Sequence, residues 1–295
     1  MKIHVRAPAT TANIGPGFDC VAAALDLWNE LEVEEGDDEL DESHLGVQAF
    51  SRLAPVAGKR FEFTSRVPRE RGLGSSAAVI ALGLVAGALA AGQEPDPEQL
   101  LAIGVELEGH ADNLAAALAG GVCLTWENRI VRVADSLPAV PFALVPEATV
   151  STAEARNSLP DSVRFEDAAF TAGRAALLGA ALAQGSAVLF AEAIQDRLHE
   201  PYRAENAPLL ERVRSDLPDG ALGATLSGSG TSVIVWVRTD AADSCEEELA
   251  RRFADASVLR FTVSERGAHQ ARATPPNGRA QHSPTAPSAR PRGRC

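Results

Sequence analysis

Seven consecutive residues, Gly72-Leu73-Gly74-Ser75-Ser76-Ala77-Ala78, have the types and order of an anion cradle. The glycines let the backbone turn tightly and approach a ligand closely. The serines add hydroxyls and fall where a helix cap is expected. The apolar run Ala77 to Gly92 then reads as a buried helix. Its first turn leaves N–H groups unpaired at the positive end of the helix dipole, which favours phosphate. No Lys-Ser or Lys-Thr follows the glycines, so this is not a Walker loop, and the dinucleotide glycine triplet is incomplete. Taken alone, a phosphate cradle and a merely capped buried helix describe the stretch equally well.

The elements around the cradle follow from periodicity and turn residues. Residues 2–7 alternate as a strand, and 8–19 read as a turn-rich loop carrying hydroxyls and amides. Leu31-Glu32-Val33-Glu34 alternates as a second strand. The acidic stretch 35–43 reads as a solvated connection, followed by a short helix over 44–53. Phe61 to Val67 is the strand entering the cradle. Asp96-Pro97-Glu98-Gln99 is a helix start with a cap, a first-turn proline and a capping-box residue. That helix runs to about Gly109, and His110-Ala111-Asp112-Asn113 interrupts it. A hairpin turns at Glu127-Asn128. Ser151-Thr152-Ala153-Glu154 again has the capping-box form. Helices over about 163–184, 186–197 and 205–216 precede two strands around Ser227-Gly228-Ser229-Gly230, then a helix and a last strand end the ordered body. Strands and helices without strict alternation give an α+β class. The expected division is 1–149, 150–266 and a tail over 267–295.

Composition bounds the function. The 295 residues suffice for two domains, and 45% are hydrophobic. The longest apolar run is shorter than a bilayer span, and the N-terminus reads as a strand with no signal peptide, so the expectation is a soluble, cytoplasmic protein without a membrane partner. The four cysteines, Cys20, Cys123, Cys245 and Cys295, show no metal or disulfide spacing. Residues 267–295 hold five arginines, five prolines and no acid. This composition cannot bury enough surface to fold, so a disordered tail is expected. Without those arginines, 22 basic residues face 40 acidic ones in the body, a net charge of −18. Such a surface repels nucleic acid.

Three glycine-bearing segments stand out together: Pro8 to Asp19, Pro68 to Ala78, and Thr225 to Ser232. In this order and spacing they resemble the GHMP small-molecule kinases. His110-Ala111-Asp112-Asn113 before Gly120-Gly121, Ser151 to Arg156, and Glu200-Pro201-Tyr202-Arg203 make the chain most similar to the homoserine kinases of that superfamily. The resemblance covers about 1–265. It implies an N-terminal domain like the second domain of ribosomal protein S5 and a ferredoxin-like C-terminal domain, with ATP between them. It implies transfer of the γ-phosphoryl group of ATP to the hydroxyl of L-homoserine, in threonine biosynthesis, by an enzyme often found as a homodimer.

The same resemblance assigns roles. Pro68, Arg69, Glu70, Arg71, Gly72, Leu73, Gly74, Ser75, Ser76, Ala77 and Ala78, with His44 near the adenine, would bind the nucleotide. Ser76 and Glu108 would hold Mg²⁺, an oxygen-seeking ion. Asn13 and Asp19 would meet the substrate's ammonium, and Arg156 and Arg203 its carboxylate, which suits a planar fork. Thr152 and Gly228 complete that pocket. Asn113, with His110, would position the reacting hydroxyl. Singly, each residue has a plainer reading: a turn amide, a helix cap, a surface ion pair. Their joint order is what favours chemistry.

The sequence also departs from the family's pattern. About six residues are missing between Leu107-Glu108-Gly109 and His110, so Glu108 is in question as a metal ligand, with Glu106 as the alternative. His44 stands where an Asn is usual, and the usual closing segment is absent. Two alternatives therefore remain: a GHMP kinase for another small alcohol, such as mevalonate or shikimate, and a non-catalytic nucleotide-binding homologue.

Overall fold

The computed structural model describes residues 2–36 and 41–271. Part of the acidic connection, and the tail beyond 271 with Cys295, lie outside the described residues.

The first layer is built on two long strands, β1 (Ile3–Asn13) and β2 (Gly17–Glu35). The expected loop over 8–19 is thus strand at both ends, turning only at Ile14-Gly15-Pro16. Alternation marked 2–7 and 31–34 but not the stretch between, where both faces are covered: residues 7–17 are all buried. Register shifts after Pro8 and Ala12 re-aim the side chains at the end of β1. Helix α1 (Leu45–Ser51) and strand β3 (Lys59–Thr64) follow, with β3 pairing antiparallel to the distal half of β2.

Helix α2 (Ser75–Ala90) is buried all round, which its Gly- and Ala-rich sequence permits because small side chains let neighbours close in. A Cβ on Gly83 would lie 2.1 Å from the Gly46 carbonyl oxygen. Helix α3 (Pro97–Glu108) starts at Asp96, whose side chain accepts from the Gln99 N–H, as the spacing expects. Helix α4 (Asp112–Ala119) and the hairpin β4 (Val122–Trp126) and β5 (Arg129–Ala134) complete the layer. Glu127 and Asn128 both take positive φ at the turn.

The second layer begins with β6 (Val140–Pro146). The chain changes sheets between Ala134 and Val140, ahead of the expected boundary at 149/150. Helices α5 (Thr152–Asn157), α6 (Phe165–Gln184), α7 (Ala187–Ala193), α8 (Glu200–Arg203) and α9 (Pro208–Ser215) lead to β7 (Ala221–Leu226) and β8 (Val233–Val237). Helix α10 (Ala242–Arg252) and β9 (Ala256–Arg260) close it. The sheet order β7-β8-β6-β9, antiparallel throughout, is the ferredoxin-like arrangement. One apolar cluster, including Ala9, Ile14, Leu73, Phe190, Ile234 and Trp236, runs through both layers, so the two sheets share a core.

Residues 267–271, expected in the tail, belong to the fold. The short strand β10 (His269–Gln270) returns to pair with β1, giving a sheet ordered β10-β1-β2-β4-β5 with β3 also on β2. The Ala268 N–H donates to the Ala117 carbonyl and that of Ala271 to the His4 carbonyl. Gly267 lies so close to α4 that a Cβ would sit 2.0 Å from the Leu118 oxygen. A local composition rule missed this because the partners lie more than a hundred residues away. A chain ending at Arg266 should therefore melt several degrees below one ending at Ala271, since hydrogen bonds worth about 1 kcal/mol each disappear. Removal of 272–295 alone should leave the melt unchanged. Equal melts for the two truncations would remove the role given to β10.

Candidate active site

The three glycine-bearing segments meet in space. The Thr10 N–H donates to the Leu73 carbonyl, that of Gly228 to Ala12, and that of Ser232 to Arg71. The Ser227 hydroxyl donates to the Gly72 carbonyl at 2.7 Å and lies 2.9 Å from the Thr11 hydroxyl. Contact is close enough to require glycine at the centre. A Cβ on Gly72 would lie 2.0 Å from the Ser227 oxygen, and one on Gly74 would lie 1.8 Å from Thr10 Oγ1. Non-glycine residues with positive φ cluster in the same loops: Asn13 (72°), Ile14 (46°), Asp19 (56°) and Glu70 (55°). Such strain persists only where packing over-determines it, typically at functional sites.

The cap of α2 differs from expectation. Gly74 is the N-cap, in the left-handed region at φ 65°, and no side chain caps the helix. Ser75 and Ser76 are its first helical residues. The N–H groups of Ser75, Ser76 and Ala77 have no acceptor among the described residues. Ser75 and Ser76 face a cleft of about 540 Å³ lined also by His44, Ser65, Arg69, Glu70, Gly72, Gly74, Glu108 and Asn113, among others. An uncapped helix start facing a cleft is suited to an anion. Pro68, Arg71, Leu73, Ala77 and Ala78 do not line it. Leu73, Ala77 and Ala78 are fully buried, and Arg71 donates to the carbonyls of Arg69, Pro146 and Glu147, fastening the loop to the second layer. His44 caps α1 through Nδ1 and packs on Phe63, with ring centroids 4.1 Å apart. Burial lowers its pKa.

Glu108 sits opposite the cradle. The Ser76 hydroxyl donates to its Oε1 at 2.6 Å. Burial pushes this carboxyl up to about 7, against the Ser76 hydrogen bond and with some help from Asp112. Glu106 points elsewhere and pairs with Arg52 at 3.0 Å. The short connection works because Gly109 turns in the left-handed region at φ 80°, where a side chain would be strained. Glu108 and Asn113 consequently face the same space.

A smaller pocket of about 40 Å³ adjoins the cleft, sharing Glu108, Asn113, Thr152 and Ser229 with it. Its other walls are Asn13, Asp19, His110, Asp112, Arg156, Arg203 and Gly228. Asn113 Oδ1 accepts from the Thr10 hydroxyl at 2.6 Å, which leaves the amide N–H₂ as the donor end. Asp112 accepts from the Asn113 N–H at 2.7 Å, and burial raises its pKa to about 6. Asp19 pairs with Arg156 at 2.7 Å, and the buried Arg156 Nε has no partner. Arg203 is buried, and burial lowers its pKa. Asn13 donates to the Gly228 carbonyl and accepts from the Asp19 N–H, so its amide braces the loop. Thr10, Ser65, Phe18 and Ser229 belong to the site but were not singled out by the sequence. Phe18 was readable only as a neighbour of Asp19. Its ring lies under both guanidinium groups, 5.8 Å from that of Arg156 and 5.2 Å from that of Arg203.

The chain is similar to known proteins in sequence and in fold. Residues 44–121 match the GHMP kinases N terminal domain, and 177–255 the GHMP kinases C terminal domain. A homoserine kinase of Streptomyces coelicolor is 39% identical, covering 90% of this chain and 93% of that protein. One from Desulfitobacterium hafniense is 36% identical, over 90% and 99%. The crystal structure of a homoserine kinase from Cytophaga hutchinsonii superposes with a TM-score of 0.82 at 27% identity, covering 92% of this chain and 97% of that one. A mevalonate kinase structure shares the fold, with a TM-score of 0.67 at 15% identity.

Proposed function

The chain belongs to the homoserine kinases of the GHMP kinase family, and we propose that its two adjoining pockets hold ATP and L-homoserine end to end. It phosphorylates the side-chain hydroxyl of L-homoserine to O-phospho-L-homoserine in threonine biosynthesis. The observation that most supports the two-pocket reading is the shared wall. The cradle's free N–H groups lie on one side of Asn113 and Glu108, and the arginines lie on the other.

The triphosphate would lie along the start of α2, against the N–H groups of Ser75 and Ser76. His44 would stand by the adenine. Ser76 and Glu108 would hold Mg²⁺. Their oxygen donors fit the ion, because a buried carboxyl beside a hydroxyl, with no cation paired to it among the described residues, is costly to ionise alone. The ion would neutralise phosphate charge. Arg156 and Arg203 would take the substrate carboxylate; the unpartnered Arg156 Nε supports this. Asp19 would take the ammonium, with Asn13 holding its backbone. Asn113 would donate its N–H₂ to the substrate hydroxyl oxygen, and His110 would wall the same pocket. An amide is no strong base, so the rate would come from alignment and charge stabilisation.

The test is ADP release by purified protein with homoserine and a panel of small alcohols. Preference for mevalonate, or ATP binding without turnover on any alcohol, would overturn the assignment. Arg203→Lys keeps the charge and loses the fork. It should raise the homoserine KM tenfold or more and leave the ATP KM within about twofold, since a misplaced carboxylate contact is worth about 1.4 kcal/mol or more. The reverse pattern would put Arg203 on the wrong side. We further propose a cytoplasmic homodimer, which light scattering tests; no helix among the described residues is long and apolar enough to cross a membrane.

A further inference from the structure

Arg203 poses a physical problem. The residue is 2% exposed, and among the described residues its hydrogen-bond acceptors are all neutral. Three contacts hold it. Nε donates to the Ala155 carbonyl at 3.3 Å, and Nη1 donates to the Gly228 carbonyl at 3.1 Å and to His199 Nδ1 at 3.2 Å. Nη2 has no hydrogen-bond partner among the described residues. A buried cation held by neutral acceptors is costly until an anion arrives.

His199 is the unusual member of this set. It is fully buried, and its ring has three polar neighbours: Arg203 at Nδ1, and at Nε2 both the Gly15 carbonyl and the Asp196 carboxylate, the latter 3.6 Å away. A guanidinium can only donate, so Nδ1 must be the acceptor and the ring proton must lie on Nε2. Nε2 stands 2.9 Å from the Gly15 carbonyl, an acceptor that needs such a proton. The two contacts therefore demand the same tautomer. Asp196 fixes the ring's backbone by accepting from the N–H groups of Leu198, His199 and Glu200. Phe18 stacks on the imidazole, with centroids 4.9 Å apart and planes 20° apart. One ring thus ties Arg203 on α8 to the turn between β1 and β2, whose flanking strand ends carry Asn13 and Asp19.

We propose that His199, as the neutral Nε2–H tautomer, is a positioning residue that aims the Arg203 fork at the substrate carboxylate and holds it in register with the loop facing the ammonium. This rests on the two-pocket reading above. Replacement by a residue that cannot accept from Arg203 lets the guanidinium turn away, so recognition of the carboxylate suffers while the nucleotide side is untouched.

The experiment compares homoserine with aminopropanol, the same amino alcohol without a carboxylate, in wild type, His199→Phe and His199→Gln. Phenylalanine keeps a ring for Phe18 and loses both polar contacts; glutamine can accept and donate. In His199→Phe the homoserine KM should rise at least tenfold, with the ATP KM within about twofold. Its preference for homoserine over aminopropanol should fall about tenfold. His199→Gln should recover most of that preference. Equal losses on both substrates, or a preference unchanged in His199→Phe, would overturn the positioning role. A wild type with no preference for homoserine would instead overturn the two-pocket reading. Should the variants not fold, nitrogen NMR of the wild-type imidazole decides. The ring should show its proton on Nε2, and Nδ1 should shift when homoserine is added. A proton on Nδ1 would overturn the proposal.

Discussion

Gly74→Val is expected to abolish turnover, by at least a thousandfold, and to lower the melting temperature. Three effects act at one atom. The residue sits at φ 65°, where a β-branched side chain is a steric outlier. The new Cβ would lie 1.8 Å from Thr10 Oγ1, which must then move. Thr10 is the donor that orients Asn113, and Asn113 Oδ1 is itself only 3.2 Å from that Cβ. Left-handed strain and overpacking together cost about 2–5 kcal/mol. Movement of Asn113 also misaligns the hydroxyl it would position, and small misplacements at a reacting centre can cost a hundredfold in rate. Calorimetric ATP affinity, a thermal melt and single-turnover rates separate these effects. A folded variant that still turns over would show that the cradle tolerates a side chain there.

Glu108→Gln should separate stability from activity. A carboxyl held near 7 in the fold, against an ordinary 4.5, binds its proton more tightly folded than unfolded between those values. The stability this provides is complete below pH 4.5 and is lost as the pH rises through about 7. At pH 8 the substrate-free wild type carries a buried charge that glutamine does not. The variant should therefore melt at or above wild type at pH 8, and the difference should close toward pH 5. Turnover should fall at least a hundredfold at every pH, because an amide is a poor ligand for a divalent ion facing triphosphate. Melts from pH 5 to pH 8 beside kinetics read both. A variant that melts lower at pH 8 and keeps its rate would mean that Glu108 is structural.

The sequence by itself determined the local pieces and their chemistry. Asp96-Pro97 and Ser151-Glu154 carry their helix starts within four residues, and both capping contacts are present in the fold. Glu127-Asn128 makes its turn alone. The glycine pattern of 68–78 gave a tight turn of close backbone approach, since such approach needs glycine whatever surrounds it. Motif order sufficed to place the chain in its family. Only tertiary structure decided what depends on distant partners. The adjoining ends of β1 and β2, over 8–19, read as a loop because burial on both faces erases alternation. Ser75 and Ser76 proved to be first-turn residues, because Gly74 takes the cap where it meets Thr10. Whether Glu108 could reach Ser76 depended on one left-handed residue, Gly109. His199 gave no signal at all, since a buried histidine and a solvated one look alike in sequence. Its role appears only when Gly15 and Arg203, 184 and four positions away, fix the proton on its ring.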